Sequence, residues 1–405
     1  MQNVKKITSD IYWVGASDRR IELFENVYPV PDGVSYNSYV IIDEKTCLMD
    51  GVDESVTRQF LENLDHALQG RTLDYMVVQH MEPDHCAAIP VLLAKYPGLK
   101  IAASAKAVQM ISSFFHIDAG AMVIKEGDEL SLGRHNLKFV SAPMVHWPEV
   151  MVTYDEAEGI LFSADAFGSF GALGGNIFAD EVDWERDVLD EARRYYVNIV
   201  GKYGAPVTAL LKKASALDIK MILPLHGYVW RKSLDVITGL YLKWASYTPE
   251  KNSAAVFYGS IYGNTANAAE IIAGKLADRG LTDVRVYDVS KTDVSELLSA
   301  AFEYSALVFA SATYNGEIFD NMNTFLTDIK NHGLTGRVVG IIENGSWAAT
   351  AGKKMSELIG SMKNMDIAEP AVTVTSSVDE KALFALGELA DAICAKIKAG
   401  DKERS

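Results

Sequence analysis

From residue 254 onward, short unbroken apolar runs alternate with amphipathic helical stretches, five times over. AAVFY (254–258) precedes a helical stretch over 265–280 that Gly280 stops. VRVYDV precedes DVSELLSAAFEY, with Asp293 as its N-cap, and ALVFASA, RVVGIIEN and AVTVTSS each precede a further helix. A strand that is apolar at every position has both faces buried, and a βα repeat supplies the helices that bury them. The pattern predicts a parallel, doubly wound five-stranded sheet over residues 251–405.

The first half reads differently. Strand-like runs open it (IYWVGAS, YNSYVIID, TCLMDGV). Helix and strand then alternate irregularly through SVTRQFLENLDHAL, DYMVVQH, AAIPVLLAKYP and KIAASA, and a β-rich stretch follows from AMVIKEGDEL to ILFSA. Two sheets flanked by helices, an αββα sandwich over residues 1–250, are expected. Pro249 and the polar run from Glu250 to Ser253 mark the boundary near residue 250. A chain of 405 residues suits two or three domains rather than one.

Charge and cysteine usage narrow the function. With 54 acidic against 38 basic residues, the net charge of −16 opposes contact with a phosphate backbone, so nucleic acid is not an expected partner. Cys47, Cys86 and Cys394 form no CxxC pair. They build neither a disulfide framework nor the four-thiolate site of a rubredoxin or ferredoxin, and they suit a reducing, cytoplasmic setting. No apolar run approaches the ~20 residues of a membrane span, and the opening residues lack the apolar region of a signal peptide.

Four metal-ligand types stand within six residues at His80-Met81-Glu82-Pro83-Asp84-His85, just after the apolar strand MVVQ. A loop there can aim His80 and Glu82 at one metal and Asp84 and His85 at a second. His146 follows FVSAPMV, Asp165 follows ILFSA and His226 follows MILPL, each past the end of another apolar strand. Imidazole and carboxylate without thiolate suit iron, manganese or zinc. Several carboxylates among seven ligands suit a metal pair, about 3.5–4 Å apart, with Asp165 as the natural bridge. His66, His116, His135 and His332 are expected to be structural hydrogen-bonders.

HMEPDH, VHWPEV, LFSADAFG and PLHGY together resemble the metallo-β-lactamase-like fold, whose hydrolases usually carry H-x-H-x-D-H and bind zinc. Glu82 stands where those have a second His, and its harder oxygen favours iron. Joined to a flavodoxin-like half, this version resembles the flavodiiron proteins (A-type flavoproteins) over essentially the whole chain. The resemblance implies His80, Glu82 and His146 on one iron, Asp84, His85 and His226 on the other, and Asp165 bridging. His85 is the member of this set that is not an inner-sphere ligand in every relative.

In the second half, Ser260-Ile261-Tyr262-Gly263-Asn264-Thr265 lies between AAVFY and the next helix, where backbone amides and a helix N-terminus make an anion site. With no Gly-Lys-Ser/Thr and no GxGxxG, a triphosphate and a dinucleotide are disfavoured, and a phosphate monoester on a flavodoxin-type loop means FMN. The loop is similar to the flavodoxin pattern Thr/Ser-x-Thr-Gly-Asn-Thr, with Tyr262 in place of the middle Thr. Two further loops can embrace the flavin ring: Ala312-Thr313-Tyr314-Asn315-Gly316 and Asn344-Gly345-Ser346-Trp347. Trp347 either stacks on the ring, shields it or simply packs.

For function, the resemblance implies an oxidoreductase that carries FMN and two irons and reduces O₂ to water (O₂ + 4e⁻ + 4H⁺ → 2H₂O) or NO to N₂O (2NO + 2e⁻ + 2H⁺ → N₂O + H₂O). Asp165, Tyr195 and Trp347 are the candidate catalytic residues, and Tyr195 and Tyr196 line the pocket or belong to the core. The resemblance further implies a head-to-tail homodimer or a tetramer. Its electron donor is external: rubredoxin, a rubredoxin reductase system or reduced coenzyme F420. The alternative is a zinc hydrolase fused to a flavodoxin module.

Overall fold

The computed structural model describes residues 3–404, which form two compact units meeting between Leu242 and Lys243. The division falls slightly ahead of the expected position 250, because residues 243–250 are tied into the second unit. Trp244 Nε1 donates to Glu250 Oε1 (2.6 Å), Glu250 N–H donates to the Glu303 carbonyl (2.9 Å), and Arg337 donates to the Tyr247 carbonyl (2.6 Å).

The first unit is the expected αββα sandwich. One sheet runs through Ile11–Trp13, Tyr39–Ile42, Thr46–Met49, Tyr75–Val78, Lys100–Ser104 and Met122–Ile124. The other runs through Glu129–Ser131, Asn136–Ser141, Met151–Asp155, Ile160–Phe162 and Met221–Leu223. Alternate residues of both meet in one core: Tyr39, Ile41, Met49 and Val77 from the first, Leu137, Phe139, Phe162 and Leu223 from the second. Val40, Leu48 and Met76 point the other way and are also fully buried, beneath flanking helices such as Thr57–Leu68, which buries Phe60 and Leu64. The run IYWVGAS is two strands, not one. The chain bends at Gly15, where a Cβ would stand 2.2 Å from the Tyr36 carbonyl oxygen.

The strands Asn136–Ser141 and Ile160–Phe162 both run antiparallel to Met151–Asp155, and Met221–Leu223 runs parallel to Ile160–Phe162. These three strands therefore end at the same edge of their sheet, and the loops that follow them open side by side.

In the second unit a parallel sheet has the order Arg285–Asp288, Lys251–Gly259, Tyr304–Tyr314, Val338–Asn344, that is, second strand, first, third, fourth. The fifth position holds two short strands, Asp366–Ile367 and Val372–Val374, both paired with Val338–Asn344. Pro370 lies between them and has no N–H to continue the ladder. This is the order of flavodoxin-like sheets.

Candidate metal centre and flavin cavity

The strand Tyr75–Val78 delivers His80 to the edge of the sandwich. Glu82 caps the short helix Pro83–Cys86, with Pro83 at its first position, so Asp84 and His85 project from its first turn. His146, Asp165 and His226 come from the loops that open together on the second sheet. All seven expected ligands converge there, in two groups: His80, Glu82, His146 and Asp165, and Asp84, His85 and His226. Within each group the ligand atoms lie within 4.8 Å of one another.

Asp165 faces both groups. Its Oδ2 lies 3.2 Å from His80 Nε2 and 3.4 Å from His146 Nε2, and its Oδ1 lies 3.1 Å from His85 Nε2 and 3.6 Å from His226 Nε2. Glu82 Oε2 stands 3.2 Å from His80 Nε2 and 3.0 Å from His146 Nε2, while Asp84 Oδ2 stands 3.2 Å from His226 Nε2. The residues fit a metal pair on a direct test. Both oxygens of Asp84, both of Asp165 and His85 Nε2 are buried and satisfied by no protein hydrogen bond, although they are close together. Buried carboxylates in this state need cations, and the site groups these two and Glu82 with four imidazoles. Cys86, beside the group, is no ligand: its thiol faces the Met81 carbonyl and burial pushes it up to about 12.

Electrostatics follow from this crowding. Burial opposes charge on His85, but Asp84 and Asp165 outweigh it and raise the ring to about 9. Burial likewise opposes charge on His146, and Asp165 and Glu82 raise it to about 9. The histidines in turn hold Glu82 and Asp165 well below the carboxylate range against burial.

Several residues of the site carry no legible sequence signal. Glu149 Oε1 lies 2.8 Å from His80 Nδ1 and accepts the Met81 N–H at 2.9 Å. The buried Asp50 accepts the Gln79 and His80 N–H groups, and burial pushes it up to about 6. The Ser35 carbonyl lies 2.7 Å from His226 Nδ1. The ring of His226 is walled by Phe24 at 5.4 Å, Tyr36 at 5.8 Å and Tyr195 at 5.4 Å between centroids. Phe24 belongs to the hairpin Leu23–Phe24/Tyr28–Pro29. Glu25 sits on an exposed turn but aims its carboxyl inward against Glu82; loss of water around that carboxyl and the neighbouring charge push it up to about 8. Only the WPE after His146 hints at any of these.

Tyr195 thus stands beside the centre, where the helix Leu189–Tyr195 widens into a π-turn over Tyr196–Val200. Tyr196 packs instead on Tyr241, at 5.0 Å. Among the described residues, His66, His116, His135 and His332 join neither metal group. His135 is buried between Asp155 (Nδ1 to Oδ2, 2.8 Å) and Asp10 (Nε2 to Oδ2, 3.2 Å).

The second unit holds a cavity of about 480 Å³ beyond the C-terminal ends of its strands. Ser260, Ile261, Tyr262, Asn264 and Thr265 line it from the first loop, Ala312, Thr313, Asn315 and Gly316 from the second, and Asn344, Gly345, Ser346 and Trp347 from the third. Ala348, Thr350 and Ser376, which carry no motif of their own, complete the wall. Gly263 and Tyr314 are not in the lining. Gly263 shapes the loop instead, as the N-cap of the helix Asn264–Asp278 with φ +93°, and its N–H is held by Ser260 Oγ at 3.1 Å. The ring of Tyr314 packs near Phe319, with centroids 6.3 Å apart. Tyr262 and Trp347 are 92% and 94% exposed, so neither is a packing residue within its unit. Hydroxyls, amides and a helix N-terminus beside an aromatic rim fit a phosphate monoester carrying a flat ring.

Comparison with known proteins agrees with both halves. A family model described as ODP family beta lactamase matches residues 34–227, and one described as flavodoxin matches residues 256–388. An anaerobic nitric oxide reductase flavorubredoxin of Aliivibrio salmonicida is 34% identical over 84% of this chain and 69% of its own length. A nitric oxide reductase of Moorella thermoacetica is 32% identical over 91% of this chain and 92% of its own. Among solved structures, the rubredoxin oxygen:oxidoreductase of Desulfovibrio gigas superposes with a TM-score of 0.92 at 28% identity, covering 98% of this chain and 99% of that one. A variant of a flavo di-iron protein of Thermotoga maritima superposes at 0.89, also at 28% identity, covering 98% and 99%.

Proposed function

We propose, since this chain belongs to the flavodiiron protein family, that its two units divide one redox reaction: the second takes up electrons and the first spends them on a gas. The protein is an oxidoreductase with FMN and two irons as cofactors. The observation that carries this is Asp165, whose two oxygens face two separate histidine–carboxylate groups. When bound, FMN would supply the exchange of paired for single electrons, and the iron pair would supply the redox chemistry for reducing O₂ or NO.

The chain's residues have definable parts in this. His80, Glu82 and His146 would hold one iron, Asp84, His85 and His226 the other, and Asp165, which faces both groups, would be shared between them. There Asp165 would place negative charge between two like-charged ions. Phe24, Tyr36 and Tyr195 narrow the approach to His226 and keep bulk water from the gas. In the second unit, Ser260, Asn264 and Thr265 bind the FMN phosphate, with Gly263 placing the loop amides. Asn315, Gly345 and Ser346 border the ring, and Trp347 covers it. Electrons come from an external donor such as rubredoxin, a rubredoxin reductase system or reduced coenzyme F420. A head-to-tail homodimer sets the flavin of one subunit against the irons of the next. Cys47, Cys86 and Cys394, all buried and unpaired, suit the cytoplasm, and no helix among the described residues is long and apolar enough to cross a membrane.

The test is anaerobic stopped-flow on reduced, iron-loaded protein mixed separately with O₂ and with NO while flavin oxidation is followed. Fast reoxidation by one gas, with about two irons and one FMN per chain, is expected and names the substrate. Reoxidation by neither gas, or zinc in place of iron, overturns the reading.

A further inference from the structure

The two halves of the metal site have the same inner set. Each has two imidazoles and one terminal carboxylate, and they share Asp165. What stands behind them differs. His80 Nδ1 lies 2.8 Å from Glu149 Oε1, with both side chains fully buried. His226 Nδ1 lies 2.7 Å from a neutral group, the Ser35 carbonyl, and His85 Nδ1 meets no protein partner. Among the described residues, Glu149 is the one carboxylate that meets the outer nitrogen of a site imidazole. Asp50, the other nearby buried carboxylate, is taken up by Gln79 and the His80 backbone and meets no ring nitrogen.

An imidazole whose Nε2 faces a metal carries its proton on Nδ1 and donates it outward. A carboxylate acceptor draws on that proton more strongly than a carbonyl does and leaves Nε2 richer in electrons. In a buried site, the added negative charge also favours the more highly charged state of the nearer ion.

We propose that Glu149 is a positioning residue that makes the two metal positions unequal. The ion held by His80, Glu82 and His146 keeps its oxidised state more strongly than its neighbour. A pair that has received one electron therefore carries the remaining ferric ion on the His80 side. This rests on the iron-pair reading above.

The experiment is a reductive titration of the iron- and FMN-loaded protein with dithionite, following the half-reduced pair by electron paramagnetic resonance, in the wild type, Glu149→Gln and Glu149→Asp. Two separate one-electron steps are expected in the wild type. Second-shell changes of this kind shift metal binding by about tenfold or more. Applied to ferric over ferrous retention at one position, tenfold is about 59 mV. Glu149→Gln should raise the second step by at least that much and leave the first in place, so that less of the half-reduced pair accumulates. Glu149→Asp keeps the charge and should restore most of the separation. Equal movement of both steps, or movement of neither, in a variant that holds two irons overturns the proposal. If Glu149→Gln loses iron, Glu149→Asp decides: a separation collapsed despite the retained charge also overturns it. A wild type without two irons fails the underlying reading instead, and metal analysis of the same sample tells the two failures apart.

Discussion

His80 Nε2 lies 3.2 Å from Asp165 Oδ2, although the strand leading to His80 belongs to one sheet of the sandwich and the strand leading to Asp165 to the other. The metal centre is thus a junction between the sheets, and Asp165 is the residue both halves of it share.

Replacing Asp165 with Ala should therefore damage both metal positions at once. Iron should fall from about two per chain to below one, gas consumption should cease, and FMN should remain bound. Iron and flavin analysis on one sample checks this. Persistent gas reduction in Asp165→Ala would rule out the bridged pair.

The metal-free protein should become less stable as pH rises from about 6.5 to 9. His85 and His146 have folded values of about 9 against an ordinary 6.5. Stability from their charged forms is complete below 6.5 and is lost as pH rises through 9. Iron displaces those protons, so the loaded protein should lack this slope, and iron uptake at pH 8 should release protons into unbuffered solution. Thermal melts of both forms across this range, with a pH electrode during loading, test it.

His135 should matter for stability and not for chemistry. It pairs with the fully buried Asp155 on one side and with Asp10 on the other. His135→Leu leaves Asp155 buried without its partner and should cost about 3–5 kcal/mol. Urea unfolding measures the loss, while iron and FMN contents should be unchanged in the folded fraction.

The flavin loop offers a paired test. Gly263 has φ +93° and Gly280 φ +91°, and a Cβ at either meets nothing within 4 Å, so alanine brings backbone strain without a clash. That strain is about 1–2 kcal/mol. Gly263→Ala should weaken FMN binding by roughly 5- to 30-fold, because bound FMN requires that loop shape. Gly280→Ala should lower stability and leave FMN affinity alone. Fluorescence titration with FMN separates the two.

Much of this was legible beforehand. The candidate ligands were readable because His80, His146, Asp165 and His226 stand just past apolar strands and the other three lie within five residues of His80, and a strand end has a definite place in a sheet. The parallel sheet was readable because a run such as AAVFY is apolar on both faces. The run AVTVTSS accounts for Val372–Val374 alone and not for the short strand Asp366–Ile367 that shares its position in the sheet. Pro370, which divides the two, lies just before that run, and Asp366–Ile367 beyond it is too short for periodicity to detect. Glu25 and Phe24 were not readable, and Glu149 showed only within the WPE after His146, since an acid or aromatic in a loop has no period and its partner lies in another segment.

The residue order by itself determined the two-unit organisation and picked out the seven residues that converge as candidate ligands and the loop proposed for a phosphate, because these depend on local pattern and residue chemistry. Only the tertiary structure decided that Asp165 turns one oxygen to each group, that Glu149 backs His80 while a carbonyl backs His226, and that Tyr195 and not Tyr196 faces the centre. Those outcomes depend on which loops lie side by side once two sheets have packed, and on side-chain directions that burial imposes after the chain has closed.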